Sequence, residues 1–247
     1  MGKMLVAEVQ QQHSATLSGG TARPGSPLVG QALGTLTVTD DASALFAASD
    51  AVIDFTRPEL LATHLDLAVC HKKPLVIGTT GLEPSAKAAI AKAAQGVALV
   101  QAANMSVGVT LLGQLVKQLA AKLDPATFDI EIVEMHHRHK IDAPSGTALA
   151  LAEAAAQGRE VRLADVARKS RDGQIGARPQ GEIGISTLRG GDVVGDHTVI
   201  FAAEGERIEI THKASSRQIF ARGAVRAALW AAGRKPGLYS MLDVLGL

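Results

Sequence analysis

The sequence predicts an α/β protein with two parts. One is a doubly wound parallel-sheet domain; the other is an α+β domain on an open mixed sheet. Two observations carry this. Between residues 50 and 104, short apolar runs alternate with helically periodic segments. The runs are continuously apolar, as in strands buried on both faces by helices. Beyond residue 125 apolar residues recur at every second position, the mark of strands with one covered face.

In chain order, Met1-Gly2-Lys3 leads straight into Met4-Leu5-Val6-Ala7-Glu8-Val9, which reads as a helix already under way. No basic and apolar leader of the signal-peptide kind precedes it. Ala15-Thr16-Leu17 is a candidate strand, and Ala51-Val52-Ile53-Asp54-Phe55 is the next. A helix over 58–71 follows, with Leu60, Leu61, His64, Leu65 and Ala68 on one face, Thr56 near its cap and Pro58 in its first turn. Pro74-Leu75-Val76-Ile77 is a strand, 84–94 a helix ended by Gly96, and Val97-Ala98-Leu99-Val100 a third apolar strand. A long helix spans 107–122, its buried stripe formed by Val109, Leu112, Leu115, Val116 and Leu119. From Asp129 to Met135 the alternation is strict, and 182–189, 198–203 and 207–213 also read as strands. The intervening loop 168–181, with Arg168, Lys169, Arg171, Gly173, Gly176, Pro179 and Gly181, is polar and expected to be mobile. Asp192 and Asp196 are assigned to turns flanking Val193-Val194, and helical spacing returns from Ser216.

Composition excludes several classes. In 247 residues, 25 Lys and Arg face 24 Asp and Glu, a net charge of +1 that gives no global pull toward nucleic acid or an anionic membrane. The basic residues Arg207, Lys213, Arg217, Arg222 and Arg226 lack the interleaved aromatics of a nucleic-acid surface. No apolar run approaches the roughly 18 residues that span a bilayer. The single cysteine, Cys70, rules out an intramolecular disulfide and a Cys-built zinc site, and reads as a small core residue. With aromatics at 3%, the core must be aliphatic and closely packed.

Ligands of doubly wound sheets bind outside the carboxyl ends of the strands. Three such ends are readable: Asp54-Phe55-Thr56-Arg57, Gly78-Thr79-Thr80-Gly81 and Ala102-Ala103-Asn104-Met105. Together they form a lip of small residues, hydroxyls, an amide and one Arg; taken alone, Gly78-Thr79-Thr80-Gly81 also reads as a plain tight turn. The densest polar segment runs from Glu134 to Thr147 and holds His136, His137 and His139. Within it Pro144 is followed by Ser145, Gly146 and Thr147, which open a helix whose free N–H groups suit a carboxylate. Lys140 and the imidazoles add positive charge, and His136 can donate a proton near neutral pH. The competing readings are a solvated basic turn and a metal site. The second lacks His at i,i+4 on a helix and a carboxylate at zinc-helix spacing. His197 and His212 carry no local signature, and His64 and His71 read as helix-face residues.

The segment Glu134-Met135-His136-His137-Arg138-His139-Lys140-Ile141-Asp142-Ala143-Pro144-Ser145-Gly146-Thr147-Ala148 resembles the signature loop of the dihydrodipicolinate reductases. Five further segments resemble that family in the same order. They are Ile53 to Pro58, Val76 to Gly81, Ala102 to Val109, Gly190 to Thr198 and Ile210 to Arg217, so the likeness covers nearly the whole chain. The resemblance implies a Rossmann-like nucleotide domain over 1–104, rejoined by 217–247, and a substrate and oligomerisation domain over 105–216. It implies NADPH- or NADH-dependent reduction of a cyclic dicarboxylate, 4-hydroxy-tetrahydrodipicolinate, in lysine and diaminopimelate synthesis by a cytoplasmic homotetramer. His136 is then the proton donor/acceptor and Lys140 the second donor. His137, Gly146 and Thr147 bind substrate. Gly78, Thr79, Thr80, Ala102, Ala103, Asn104, Met105 and Arg57 lie at the cofactor. No metal, nucleic acid or membrane is implied.

Two departures shape the expectations. The family opens with a strand and a turn of the form Gly-x-x-Gly-x-Met-Gly, of which only Met1-Gly2 appears here, so the chain is expected to bind cofactor poorly as it stands. Ser18, in Leu17-Ser18-Gly19-Gly20, stands where an acidic residue often holds the adenosine ribose. Thr21 or Arg23 is then free to meet a 2′-phosphate, which makes NADPH at least as acceptable as NADH. Three hypotheses follow: an active reductase whose sequence lacks its start, a non-catalytic fragment or pseudoenzyme that still binds dicarboxylates, and a different dehydrogenase acting on an amino acid. The loop from His136 to Thr147 argues against the third.

Overall fold

Leu75, Val76 and Ile77 are all fully buried, the first sign that both faces of their sheet are covered. A computed structural model describes residues 1–247. Two compact units divide the chain: Met1–Val107 with Gln218–Leu247, and Gly108–Arg217. The first unit opens with α1 (Gly2–Gln11), a short antiparallel hairpin of β1 (Ala32–Leu33) and β2 (Leu36–Thr37), and α2 (Ala42–Ala48). Asp41 caps α2 by accepting from the Ala44 N–H at 2.9 Å. The repeat read from the sequence follows as β3 (Val52–Asp54), a 3-10 turn (Pro58–Leu60), α3 (Leu61–His71), β4 (Leu75–Ile77), α4 (Pro84–Ala93) and β5 (Ala98–Gln101).

Four expectations here are corrected. Ala15-Thr16-Leu17 is not a strand, because no strand runs beside it. The neighbouring chain makes only an isolated bridge, Thr21 to Thr39. Leu60 is 40% exposed, since the 3-10 turn at Pro58 rotates it off the face that buries Leu61, Leu65 and Ala68. Thr56 does not cap that helix; its backbone N–H and hydroxyl both donate to Asp54. Cys70 is exposed, two positions past Ala68 and so on the far side of the helix from the buried row.

The second unit carries α5 (Val107–Lys122), β6 (Asp129–His136), α6 (Gly146–Gly158), α7 (Leu163–Val166), β7 (Ala167–Arg168), β8 (Ile183–Arg189), β9 (Gly195–Ala203) and β10 (Glu206–Ala214). The strands form one mixed sheet in the order β10-β9-β6-β8-β7. β6 runs parallel to β8 and antiparallel to β9. One face is packed: Ile130, Ile132, Ile183, Ile185, Val199 and Phe201 meet Leu112, Val116 and Ala120 of α5 and Ala148, Leu151, Ala152 and Ala155 of α6. Leu115 is 48% exposed, so the apolar stripe of α5 is narrower than its sequence suggests. Loop 168–181, expected to be mobile, is pinned by ion pairs invisible in the sequence. The Arg178 guanidinium donates to Asp129 at 2.6 Å, to Glu131 at 2.9 Å and to three carbonyls, and Arg171 grips Glu131 through two nitrogens. Asp196 lies within β9 rather than in a turn.

The chain then returns to the first unit as α8 (Gln218–Ala231), β11 (Gly237–Tyr239) and α9 (Met241–Leu245). β11 adds to an all-parallel sheet of order β11-β5-β4-β3. Leu75, Ile77 and Leu99 point into one core with Phe46, Leu61, Leu65 and Ile90. Val76 and Val100 point the other way, into Ala224, Ala227, Ala231, Met241 and Val244. That two-sided burial is why the strands read as unbroken apolar runs.

Candidate active site

On β6 the two-residue period puts Glu134 and His136 in the same buried row as Ile130 and Ile132. The row thus ends in two polar groups at the strand's carboxyl end. Neighbouring strands then fix their partners by register: Arg189 of β8 lies opposite His136, and His197 of β9 lies opposite Glu134.

The Glu134 side chain is wholly excluded from solvent and accepts four hydrogen bonds. Arg189 supplies two, from Nη1 at 2.9 Å and Nη2 at 3.0 Å. The Ser145 N–H supplies one at 3.0 Å, and His136 Nδ1 one at 2.5 Å. Burial by itself would raise the pKa of this carboxyl. The bonds from Arg189, His136 and Ser145 outweigh it and hold the group below the usual glutamate range, so it is ionised. With Nδ1 engaged, Nε2 is the working nitrogen of His136. A Cβ built on Gly195 would stand 2.9 Å from that Nε2, so the absence of a side chain at Gly195 keeps space beside it.

His197 packs edge-on against His136 with ring centroids 5.1 Å apart. Its Nε2 shares a 3.1 Å hydrogen bond with the Ser145 hydroxyl. Burial first, and then the neighbouring His136, push its pKa down to about 4, so it is neutral in ordinary buffers. This has a consequence for stability. An unfolded His197 titrates near 6.5 and the folded one near 4, so on acidification the unfolded chain takes the proton first. Stability is therefore complete above about pH 6.5 and is lost as pH falls toward 4, by on the order of 3 kcal/mol. Urea melts across that window should show the loss in the wild type and a flatter dependence in His197→Gln.

Ser145 caps α6, its hydroxyl accepting from the Ala148 N–H at 3.1 Å. Gly146 and Thr147 form the first turn, and nothing lies within 4 Å of a Cβ built on Gly146. The Lys140 ammonium donates to Asp142 at 2.8 Å. The Asp142 carbonyl in turn accepts from Arg189, which ties the loop back to the Glu134 pair. His137 lies 6.3 Å from His139, ring to ring. Its pKa is lowered by partial burial first, and then by the neighbouring basic groups, Arg217 foremost. A helix N-terminus amid this positive cluster suits a dianionic ligand.

In the first unit, the parallel register brings all three strand ends to one edge of the sheet. Asp54, 2% exposed, accepts from the Thr56 N–H and hydroxyl, from the Thr79 hydroxyl at 3.2 Å and from His64 Nδ1 at 2.8 Å. Burial would raise its pKa, but His64 and Thr56 outweigh that and hold it low. Asp54 thereby ties two strand ends together. Gly78 is pressed on by the Phe55 ring, 2.5 Å from where a Cβ would be. Gly81 takes a positive φ of 73° and faces open space. Thr80, Ala103 and Arg57 are exposed, Ala102 and Asn104 half-buried. Met105 is 1% exposed, so it offers this edge its backbone and not its side chain. Asn104 accepts from the Ser106 N–H at 2.8 Å. Small residues, hydroxyls and a positive-φ glycine at the ends of parallel strands fit a dinucleotide.

Sequence reading left Glu134, Arg189, His197, Asp54 and His64 without a role. Glu134 was recoverable, since it stands two positions before His136 on an alternating strand. Arg189 and His197 were not, because only strand register brings them to β6. No group of three or more His, Cys, Asp or Glu is placed to hold a metal ion. A depression of about 330 Å³ beside loop 168–181 is lined by Arg168, Arg171 and Glu182, already paired with one another or with Glu131. No helix is long and apolar enough to cross a membrane.

Fold and site define a Rossmann-like α/β protein whose second unit carries a Glu–His pair beside a helix N-terminus. The family model described as the N-terminus of dihydrodipicolinate reductase matches residues 1–105, and that of its C-terminus matches 108–245. The chain belongs to the dihydrodipicolinate reductase family. It is 51% identical to the 4-hydroxy-tetrahydrodipicolinate reductase of Dinoroseobacter shibae, over 100% of this chain and 94% of the relative. For the reductase of that name from Brucella abortus, identity is 51% over 100% of this chain and 95% of the relative. Among solved structures, dipicolinate-bound dihydrodipicolinate reductase from Paenisporosarcina sp. TG-14 matches with a TM-score of 0.79 at 23% identity, covering 98% of this chain and 94% of that one. An amine dehydrogenase from Mycobacterium smegmatis shares the fold more loosely, with a TM-score of 0.58 at 13% identity, over 97% of this chain and 92% of that one.

Proposed function

We propose that this protein reduces 4-hydroxy-tetrahydrodipicolinate to tetrahydrodipicolinate in lysine and diaminopimelate biosynthesis. It consumes one NADPH or NADH and one proton and releases water. The observation that carries the reading is the His136 imidazole, held by Glu134, whose other oxygen accepts from Ser145 at the N-terminus of α6.

The reduced nicotinamide, when bound, supplies a hydride to the substrate ring. Gly78, Thr79, Thr80, Ala102, Ala103, Asn104 and the Met105 backbone would hold the nucleotide, with Arg57 beside it. His137 and the first-turn N–H groups of Gly146 and Thr147 bind the substrate's carboxylates, where the helix end and the cluster of cations favour negative charge. His136 hands over its proton from Nε2, and Lys140 is the second proton donor. The protein works as a homotetramer in the cytoplasm. The uncovered face of the second unit's sheet supports assembly there, and light scattering should give four copies.

The decisive assay follows loss of NADPH or NADH absorbance with 4-hydroxy-tetrahydrodipicolinate. Substrate-dependent oxidation supports the reading; dicarboxylate binding without turnover would support the non-catalytic alternative. For the cofactor, Ser18 is engaged with Ser49 at 2.8 Å, while Arg23 is exposed and available to a 2′-phosphate. Arg23→Ala is expected to weaken NADPH by about tenfold and leave NADH unchanged. Unchanged NADPH affinity in a fluorescence titration would remove Arg23 from that role.

A further inference from the structure

Glu134 is buried, ionised and fully hydrogen-bonded, yet no step of the proposed reaction uses it. We infer that Glu134 and Arg189 form a positioning pair that fixes the tautomer of His136 and sets the pH at which it releases its proton. The inference rests on the proton-donor role of His136 given above.

The tautomer follows from the donor and acceptor inventory. An ionised carboxylate has no hydrogen to give, so at 2.5 Å from Glu134 the hydrogen belongs to His136 Nδ1 whether the ring is neutral or charged. Nε2 is then the atom that gains and loses the proton. The carboxylate cannot swing away. Arg189 holds both of its oxygens, and the Ser145 N–H holds one of them again.

The second part follows from charge. A bare carboxylate at this distance in a dry site would stabilise the imidazolium so strongly that His136 would keep its proton. The bidentate guanidinium of Arg189 cancels much of that field while leaving the geometry intact. His136 is thus oriented without being locked into one charge state. Other titratable groups reach the His136 site from each neighbouring element. Its own strand and loop bring Glu134, His137 and Lys140. From β8 comes Arg189, and from β9 comes His197, with His212 of β10 opposite it, while Asp196 pairs with Met135 on the other face of the sheet. The start of α6 contributes only the uncharged Ser145. Among these, Glu134 alone hydrogen-bonds the His136 ring and Arg189 pairs with Glu134 through two nitrogens, so the two charges act on the ring in opposite senses.

The test uses the full chain in two arms. In 15N NMR of histidine side chains, with His136 assigned through His136→Gln, the wild type should show the neutral ring protonated at Nδ1. A ring protonated at Nε2 would overturn the proposal. In pH–rate profiles, Glu134→Gln should lower kcat on the order of 10- to 100-fold and move the His136-dependent limb to lower pH by about one unit. Arg189→Met should move the same limb to higher pH, with nucleotide affinity unchanged in both variants. A role in folding alone would lower activity in both and leave the limb in place, and that result, or shifts in the same direction, would also overturn it. Should Arg189→Met fail to fold, the double variant Glu134→Gln with Arg189→Met leaves no buried charge unpaired, and its limb should lie at higher pH than that of Glu134→Gln; a limb at the same or lower pH would overturn the opposing role of Arg189. Should the chain not reduce the substrate, the function fails but not this inference. NMR titration of the His136 ring reads the tautomer and both shifts without substrate.

Discussion

Replacing His136 by glutamine is expected to lower kcat on the order of 100- to 1000-fold while nucleotide affinity changes by less than about twofold. Glutamine is the informative substitute. Its amide N–H can still donate to Glu134, so the buried carboxylate keeps a partner and the loop keeps its anchor. What is lost is a group that can carry a proton at Nε2, the ring atom that closely approaches Gly195. Residual turnover would reflect hydride transfer with Lys140 or water as the proton source. Stopped-flow measurement of kcat beside a fluorescence titration of NADPH separates the two quantities. A large loss of nucleotide affinity with kcat preserved would refute the proton-donor role.

The largest structural effect is expected from Gly223→Val on α8. A Cβ at Gly223 would lie 1.7 Å from the Met105 carbonyl oxygen and 2.8 Å from its carbon. Both atoms are backbone, so no side chain can rotate aside; the helix or the strand end must move. That displacement opens the core where Met105 packs with Val76, Val100 and Ala224, and should cost at least about 3 kcal/mol. Because Met105 closes the segment Ala102-Ala103-Asn104-Met105, nucleotide affinity should fall with stability. Gly113 is the control. It is also helical, but nothing lies within 4 Å of its Cβ position, so Gly113→Ala should be neutral or stabilising by up to about 1 kcal/mol. Equal denaturation midpoints for Gly223→Val and the wild type would refute the packing argument.

Much of the molecule was legible in the one-dimensional pattern. The three strands of the first unit at 52–54, 75–77 and 98–101 and their carboxyl-end loops could be read because both faces of that sheet are covered and each strand is or follows one apolar run. The alternation of 129–135 announced the one-sided sheet, and Ser145 before a helical run announced the cap of α6. The errors have equally physical causes. Leu60 and Leu115 fit a helical stripe by spacing, but burial depends on what packs against the stripe. Cys70 has a residue type common in cores, although its place on α3 faces outward. Ala15-Thr16-Leu17 has strand-like residues and no neighbouring strand to pair with.

The chemistry divides the same way. Residue type and local spacing placed a titratable His, a Lys and a helix N-terminus within one loop, because those features depend on neighbours a few positions apart. The partners that make His136 a directed acid come from far along the chain. Arg189 is separated from Glu134 by 55 residues and His197 from Ser145 by 52. Their side chains meet only because β8 and β9 flank β6 in one register, and a one-residue slip would turn each to the opposite face of the sheet. Local sequence therefore determines which groups can carry the proton. The strand register, a property of the folded sheet alone, determines which nitrogen carries it and what charge surrounds it.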